Sequence, residues 1–274
     1  MLLVQMTDEI KNLFNSSKNK CRKWDKYFYT YEEIFKDYKN KDITFVEIGI
    51  HNGGSLNIWK KYFSKNSKII GIDVNPDCKK FAEDGIEIFI GNQSDPKFWN
   101  DFFKKVGRVD IILDDGGHTN LDQVITTISV VDKIKDGGLL MTEDTHTSYW
   151  DVYNSSKKFS FIEFSKKIID DINFKNSKNF KQFKFSLSDF IYSVQTFESI
   201  VVFKIDRRKC HFNLLHANEG HDHKITDMTW SANEVNVQLL KKFLFFFKSF
   251  VRTNKLLRFL TRRVNNKIIS KYFN

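Results

Sequence analysis

The chain has 274 residues, is 41% hydrophobic and 28% charged, and carries a formal net charge of +10; that composition excludes a disordered protein. Six Lys and four Arg between Val237 and Asn274, a stretch without Asp or Glu, account for the whole net charge and leave 34 basic and 34 acidic residues before it. A protein that coats phosphate backbones spreads its positive charge over a binding face, so a neutral body with a basic tail argues against nucleic acid as a partner.

In chain order, the opening Met1-Leu2-Leu3-Val4 run meets Asp8 and Glu9 too early for a signal-peptide core. Residues 1–40 read as an N-terminal helical cap whose Trp24, Tyr27, Phe28, Tyr29 and Tyr31 close a core. The domain expected over 41–206 alternates strand and helix. Short apolar, β-branched runs at 43–48, 68–73, 86–90, 109–113 and 138–142 read as buried parallel strands. Runs at 189–195 and 199–204 lie close enough to form an antiparallel hairpin at a sheet edge. The expected fold is α/β: a doubly wound, Rossmann-like sheet, mostly parallel with an antiparallel terminal hairpin, plus a basic helical C-terminal tail. In such sheets ligands bind at the carboxyl ends of the strands.

Two constellations stand at those ends. Glu47-Ile48-Gly49-Ile50-His51-Asn52-Gly53-Gly54-Ser55 is a glycine-rich turn between the first strand and the first helix of the alternation, without the G-x-G-x-x-G spacing of a dinucleotide site. Asp73 ends the second strand, where a carboxylate can accept from both hydroxyls of a ribose. The loop has no cation for a pyrophosphate, so S-adenosylmethionine suits Glu47 better than NAD does. Glu47, Gly49, Asn52, Gly53, Ser55 and Asp73 are therefore candidate cofactor residues.

The second constellation is Asp114-Asp115-Gly116-Gly117-His118 after the fourth strand and Glu143-Asp144 after the fifth. Asp114 reads as capping the following helix and is counted with the cofactor residues. Converging carboxylates repel and need shared protons or a cation. Oxygen ligands without nearby Cys favour Mg²⁺, Mn²⁺ or Ca²⁺. His118, three residues beyond Asp115, is placed to act as a base at neutral pH.

Residues 47–56, Gly91-Asn92-Gln93-Ser94-Asp95, 114–118 and Glu143-Asp144-Thr145-His146-Thr147-Ser148-Tyr149-Trp150 resemble class I S-adenosylmethionine-dependent methyltransferases. More narrowly, they are similar to the metal-dependent sugar O-methyltransferases of macrolide biosynthesis and to the cephalosporin hydroxylase-like group, over about residues 20–205. The resemblance implies that Asp115, Glu143 and Asp144 hold Mg²⁺ (or Mn²⁺) and that His118 is the general base, with Asp115 beside it in the catalytic set. It places Glu47, Gly49 and Asp73 on the methionine and ribose of the cofactor, and Gln93 and Ser94 near the adenine. His146, Tyr149 and Trp150 are expected to line the acceptor pocket. The macrolide enzymes have an extra N-terminal domain for which this chain has no room, and the basic tail is not part of their pattern.

The expected function is O-methylation of a sugar hydroxyl on a bacterial glycan or activated sugar. A catechol-type O-methyltransferase is the runner-up, and an RNA methyltransferase or a non-catalytic adaptor stands further off. The region 207–236, with His211, His216, His221 and His223, reads as a polar loop. Residues 237–274 can form amphipathic helices at an anionic membrane surface or pack on the body or a partner subunit, as in a homo-oligomer. Three scattered cysteines, and no apolar run near the ~18 residues of a membrane span, suit a cytoplasmic protein at or near the inner face of the membrane.

Overall fold

A computed structural model of the chain describes residues 8–83, 85–153, 157–175 and 186–221. His223 and the basic tail 237–274 lie outside the described residues. The described residues up to Leu214 form one compact unit. Among the described residues no helix is long and apolar enough to cross a membrane.

Seven strands form one sheet in the order β3-β2-β1-β4-β5-β7-β6. They are β1 Thr44–Ile48, β2 Lys68–Asp73, β3 Ile86–Ile90, β4 Val109–Asp114, β5 Ile134–Thr142, β6 Ile191–Phe197 and β7 Ile200–Ile205. The first five are mutually parallel, and β7 runs antiparallel between β5 and β6. The expected fold class holds: a mixed Rossmann-like sheet with its antiparallel hairpin at one end.

Side-chain alternation explains why these runs are apolar throughout. Phe45, Ile69, Ile111, Leu113 and Met141 face one core cluster, while Val46, Ile70, Ile112 and Leu140 face another on the opposite side. Helices α1 (Glu9–Asn15), α2 (Tyr27–Phe35) and α3 (Gly54–Tyr62) cover the first face through Ile10, Tyr31, Phe35, Leu56 and Trp59. The other face is covered by α4 (Pro96–Val106), α5 (Asn120–Val130) and α6 (Phe161–Phe174), through Trp99, Phe102, Val130, Phe161 and Ile168. Side-chain oxygens cap their N-termini: Asp95 accepts from Lys97 N, Thr119 from Asp122 N and Ser160 from Glu163 N. Asp114 is not a helix cap; Thr119 caps α5.

The N-terminal region is helical only in part. Tyr27, Phe28 and Tyr31 are buried in the core as expected, but residues 17–26, between α1 and α2, form neither helix nor strand. That segment passes over the start of α3, where Ser17 Oγ donates to Gly54 O at 3.0 Å.

Candidate active site

The parallel register sets the ends of β1, β4 and β5 side by side. Ile48 is level with Asp114, and Asp114 with Thr142. Asp115 N then donates to Ile48 O at 3.0 Å, and Glu143 N to Asp114 O at 2.9 Å. The glycine turn and both acidic pairs therefore emerge at one edge of the sheet. Here lies a cavity of about 1350 Å³ whose wall includes Gly49, Asn52, Ser55, Asp73, Gln93, Ser94, Asp115, His118, Glu143 and Asp144. Glu47, Gly53 and Asp114 are not among the lining residues.

On the cofactor side, Gly49 adopts φ 83° and Gly53 φ 69°. A Cβ at Gly49 would stand 2.0 Å from the carbonyl oxygen of Asp115, so the turn and the acidic loop touch backbone to backbone. Gly49→Ala is expected to destabilise the fold by roughly 2–5 kcal/mol, from left-handed strain plus overpacking. A urea midpoint equal to wild type would contradict this.

Glu47 is fully buried, and its Oε2 accepts from Ser55 Oγ at 2.7 Å and Trp59 Nε1 at 3.2 Å. Burial pushes its carboxyl up to about 7, against the opposing pull of Lys23. Ser55 thus orients Glu47 from the cavity wall. Asp73 accepts from His51 N at 3.1 Å and Asn75 N at 2.9 Å. Gln93 is spent within the protein: Nε2 donates to Asp114 Oδ1 at 2.8 Å, and Oε1 accepts from Gly117 N at 2.8 Å. Asp114 is buried, which raises its carboxyl to about 6, with Gln93 as the leading counterweight. Ser94 Oγ pairs with Asn92 and with Asp122.

On the acidic side, Asp115, His118 and Asp144 each offer one ligand atom, all within 4.8 Å of one another. His118 Nε2 stands 3.5 Å from Asp144 Oδ2 and 4.0 Å from Asp115 Oδ1. Both His118 (φ 57°) and Asp144 (φ 53°) occupy left-handed backbone. Thr147 Oγ1 donates to His118 O at 2.7 Å and so ties the two loops together. Gln123 Nε2 donates to Glu143 O at 2.9 Å from α5. Glu143 is fully buried, and burial, reinforced by Asp115, holds its carboxyl well above the usual range.

Four groups from the irregular N-terminal segment and α2 complete this side, and sequence reasoning gave them no role at the site. Lys23 Nζ donates to Asp115 Oδ2 at 2.7 Å and Glu143 Oε2 at 2.9 Å. Burial works against its charge, but Asp115 and Glu143 outweigh burial and keep it an ammonium. Tyr31 donates to Glu143 Oε1, and Tyr27 to Asp144 Oδ1. Trp24 Nε1 also donates to Asp144 Oδ1, at 3.0 Å. No local spacing marks Lys23; the one signal is that converging carboxylates in a neutral body require a cation from somewhere.

The expected acceptor residues lie just beyond. His146 Nδ1 pairs with Ser199 Oγ at the β6–β7 turn, and its ring meets Trp150 at 4.6 Å and Trp24 at 5.8 Å between centroids. Trp24, Tyr149 and Trp150 are exposed. Of the expected His loop, His211, His216 and His221 are exposed and outside any regular element, and none joins a metal-binding group among the described residues.

No family model matches the chain. Over 164 residues it is 31% identical to an 8-demethyl-8-alpha-L-rhamnosyl tetracenomycin-C 2'-O-methyltransferase of Streptomyces olivaceus, a match to 55% of this chain and 43% of that protein. Over 127 residues it is 32% identical to the mycinamicin VI 2''-O-methyltransferase of Micromonospora griseorubida, covering 44% and 31%. In structure it superposes on the MycE methyltransferase of the mycinamycin pathway, in complex with Mg and SAH, with a TM-score of 0.64 and 24% identity. That match covers 73% of this chain and 54% of MycE. The chain resembles the sugar O-methyltransferases and shares the class I methyltransferase fold. It spans less than half the length of the curated relatives it matches.

Proposed function

We propose that the protein transfers a methyl group from S-adenosylmethionine to a sugar hydroxyl, assisted by Mg²⁺ or Mn²⁺. The observation that carries this reading is the convergence of Asp115, His118 and Asp144 beside the cavity walled by the glycine turn. The donor set fits a hard cation: carboxylates with an imidazole alongside and no thiolate. Asp115, Glu143 and Asp144 would hold the ion, which when bound polarises the acceptor oxygen and offsets its developing charge. The buried Glu47, the glycine turn and the cavity wall suit S-adenosylmethionine. Glu47 would answer its ammonium and Asp73 its ribose hydroxyls, while Gln93 and Ser94 border the adenine.

The residues then divide the work. A sugar hydroxyl is a poor nucleophile until its proton leaves, and His118 Nε2 is placed to take that proton. Asp144 and Asp115 flank the imidazole. The loops fixed by Thr147 and Gln123 would position an acceptor oxygen for direct displacement at the cofactor methyl group. Trp24 and Trp150, around His146, offer faces on which a sugar ring can stack. Relatives named for sugar-bearing substrates support a glycoside acceptor, and we extend it to a bacterial glycan or activated sugar.

Labelled S-adenosylmethionine, offered with a panel of glycosides, glycans, nucleotide sugars and catechols, tests this reading. The expected result is transfer to a sugar hydroxyl that a chelator stops and Mg²⁺ restores. Transfer to catechols alone, or transfer indifferent to chelator, would overturn it.

A further inference from the structure

Both carboxylate oxygens of Glu143 are committed to protein donors. Oε1 accepts from the Tyr31 hydroxyl and Oε2 from the Lys23 ammonium. The same ammonium binds Asp115 Oδ2 and stands 3.7 Å from Glu47 Oε1, on a side chain only 4% exposed. Among the described residues no other Lys or Arg lies within 4.0 Å of these three carboxylates. The ligand atoms that converge come from Asp115, His118 and Asp144, and Glu143 is not one of them.

A divalent ion bound by both Asp115 and Glu143 draws on the oxygens that Lys23 holds. Two cations packed into one corner of a buried carboxylate cluster repel strongly at low dielectric. Lys23 can yield, because it sits on a segment outside helix and sheet, whereas Glu143 follows directly from β5. We propose that Lys23 is a positioning residue that competes with the divalent ion for Glu143 and Asp115, so that Glu143 joins the ion only when the ammonium is displaced. Lys23 thereby sets the metal affinity of the site and keeps the carboxylates together until the ion arrives. This rests on the reading that Asp115 and Asp144 take a divalent ion.

The test is a Mn²⁺ titration of the full-length protein without acceptor, free Mn²⁺ being read by electron paramagnetic resonance. Wild type, Lys23→Met, Lys23→Gln, Lys23→Arg and Asp144→Asn are compared, with thermal unfolding to verify folding. The neutral variants are expected to bind Mn²⁺ about tenfold more tightly than wild type, whereas Lys23→Arg, which keeps the cation, stays near wild type. A purely structural lysine predicts the reverse, since its loss would loosen the cluster and weaken Mn²⁺ binding. Equal or weaker binding by whichever neutral variant folds overturns the proposal. If wild type binds Mn²⁺, Asp144→Asn abolishes it and the neutral variants gain nothing, this inference falls alone. If neither wild type nor the neutral variants bind Mn²⁺, it falls together with the metal reading.

Discussion

His118→Ala is expected to lower turnover by about 10²–10⁴-fold, the usual contribution of a positioned general base. Affinity for S-adenosylhomocysteine, measured by calorimetry, should stay within about twofold of wild type, because catalytic terms and ground-state binding separate. The structure supports this separation. The imidazole faces Asp144 and Asp115, whereas the buried Glu47 is held by Ser55 and Trp59 from α3. His118 Nδ1 has no hydrogen-bond partner among the described residues, so removing the ring strands no protein group at that atom. The backbone strain at His118, φ 57°, would be relieved only by Gly; Ala retains it, and a small loss of stability should accompany the loss of rate. Wild-type turnover in the variant would remove His118 from the mechanism.

Asp144→Asn should have the second large effect, a loss of roughly 10³-fold in Mg²⁺-dependent turnover, from forfeiting several kcal/mol of electrophilic assistance. The substitution is informative because it keeps shape. Asp144 sits at φ 53°, a conformation that Asn tolerates as well as Asp does. Its Oδ1 accepts from Trp24 and Tyr27, and an amide oxygen can accept the same two bonds. Thermal stability should therefore change little, while the chelator-sensitive fraction of activity disappears. Retained, chelator-sensitive turnover would show that Asp144 does not serve the ion.

Much of this site could be read from one strand of letters. The β-branched runs specify strands because both sheet faces are covered, and the topology then carries Gly49, Asp115 and Glu143 to one edge whatever their separation in sequence. The start of β5 was less legible. Ile134 begins it, but Lys135, Asp136 and Gly137 follow, exposed and atypical of a strand, so only 138–142 stood out. Asp114 looked like a helix cap by position, yet its burial and its bond to Gln93 come from tertiary packing. Lys23 and Trp24 were not legible as site residues at all. They act through contacts some 120 positions away, from a segment with no periodicity to betray which side chains turn inward.

The end of β4 has an implication for how this protein tolerates change. Asp114 and Asp115 are consecutive, and the alternation of an extended chain sends them to opposite duties: one to Gln93 below the cofactor side, the other to the acidic cluster. Because the side-chain period is two, inserting or deleting a single residue within β4 flips the facing of every residue on one side of the change, either the aspartates or the core positions before them. Length variation should therefore be survivable in the connections at the opposite edge of the sheet, such as the turn at Gly107, whose added side chain would meet nothing within 4 Å. A library of single-residue deletions scored for folded protein would map that boundary, with β4 as its least forgiving stretch.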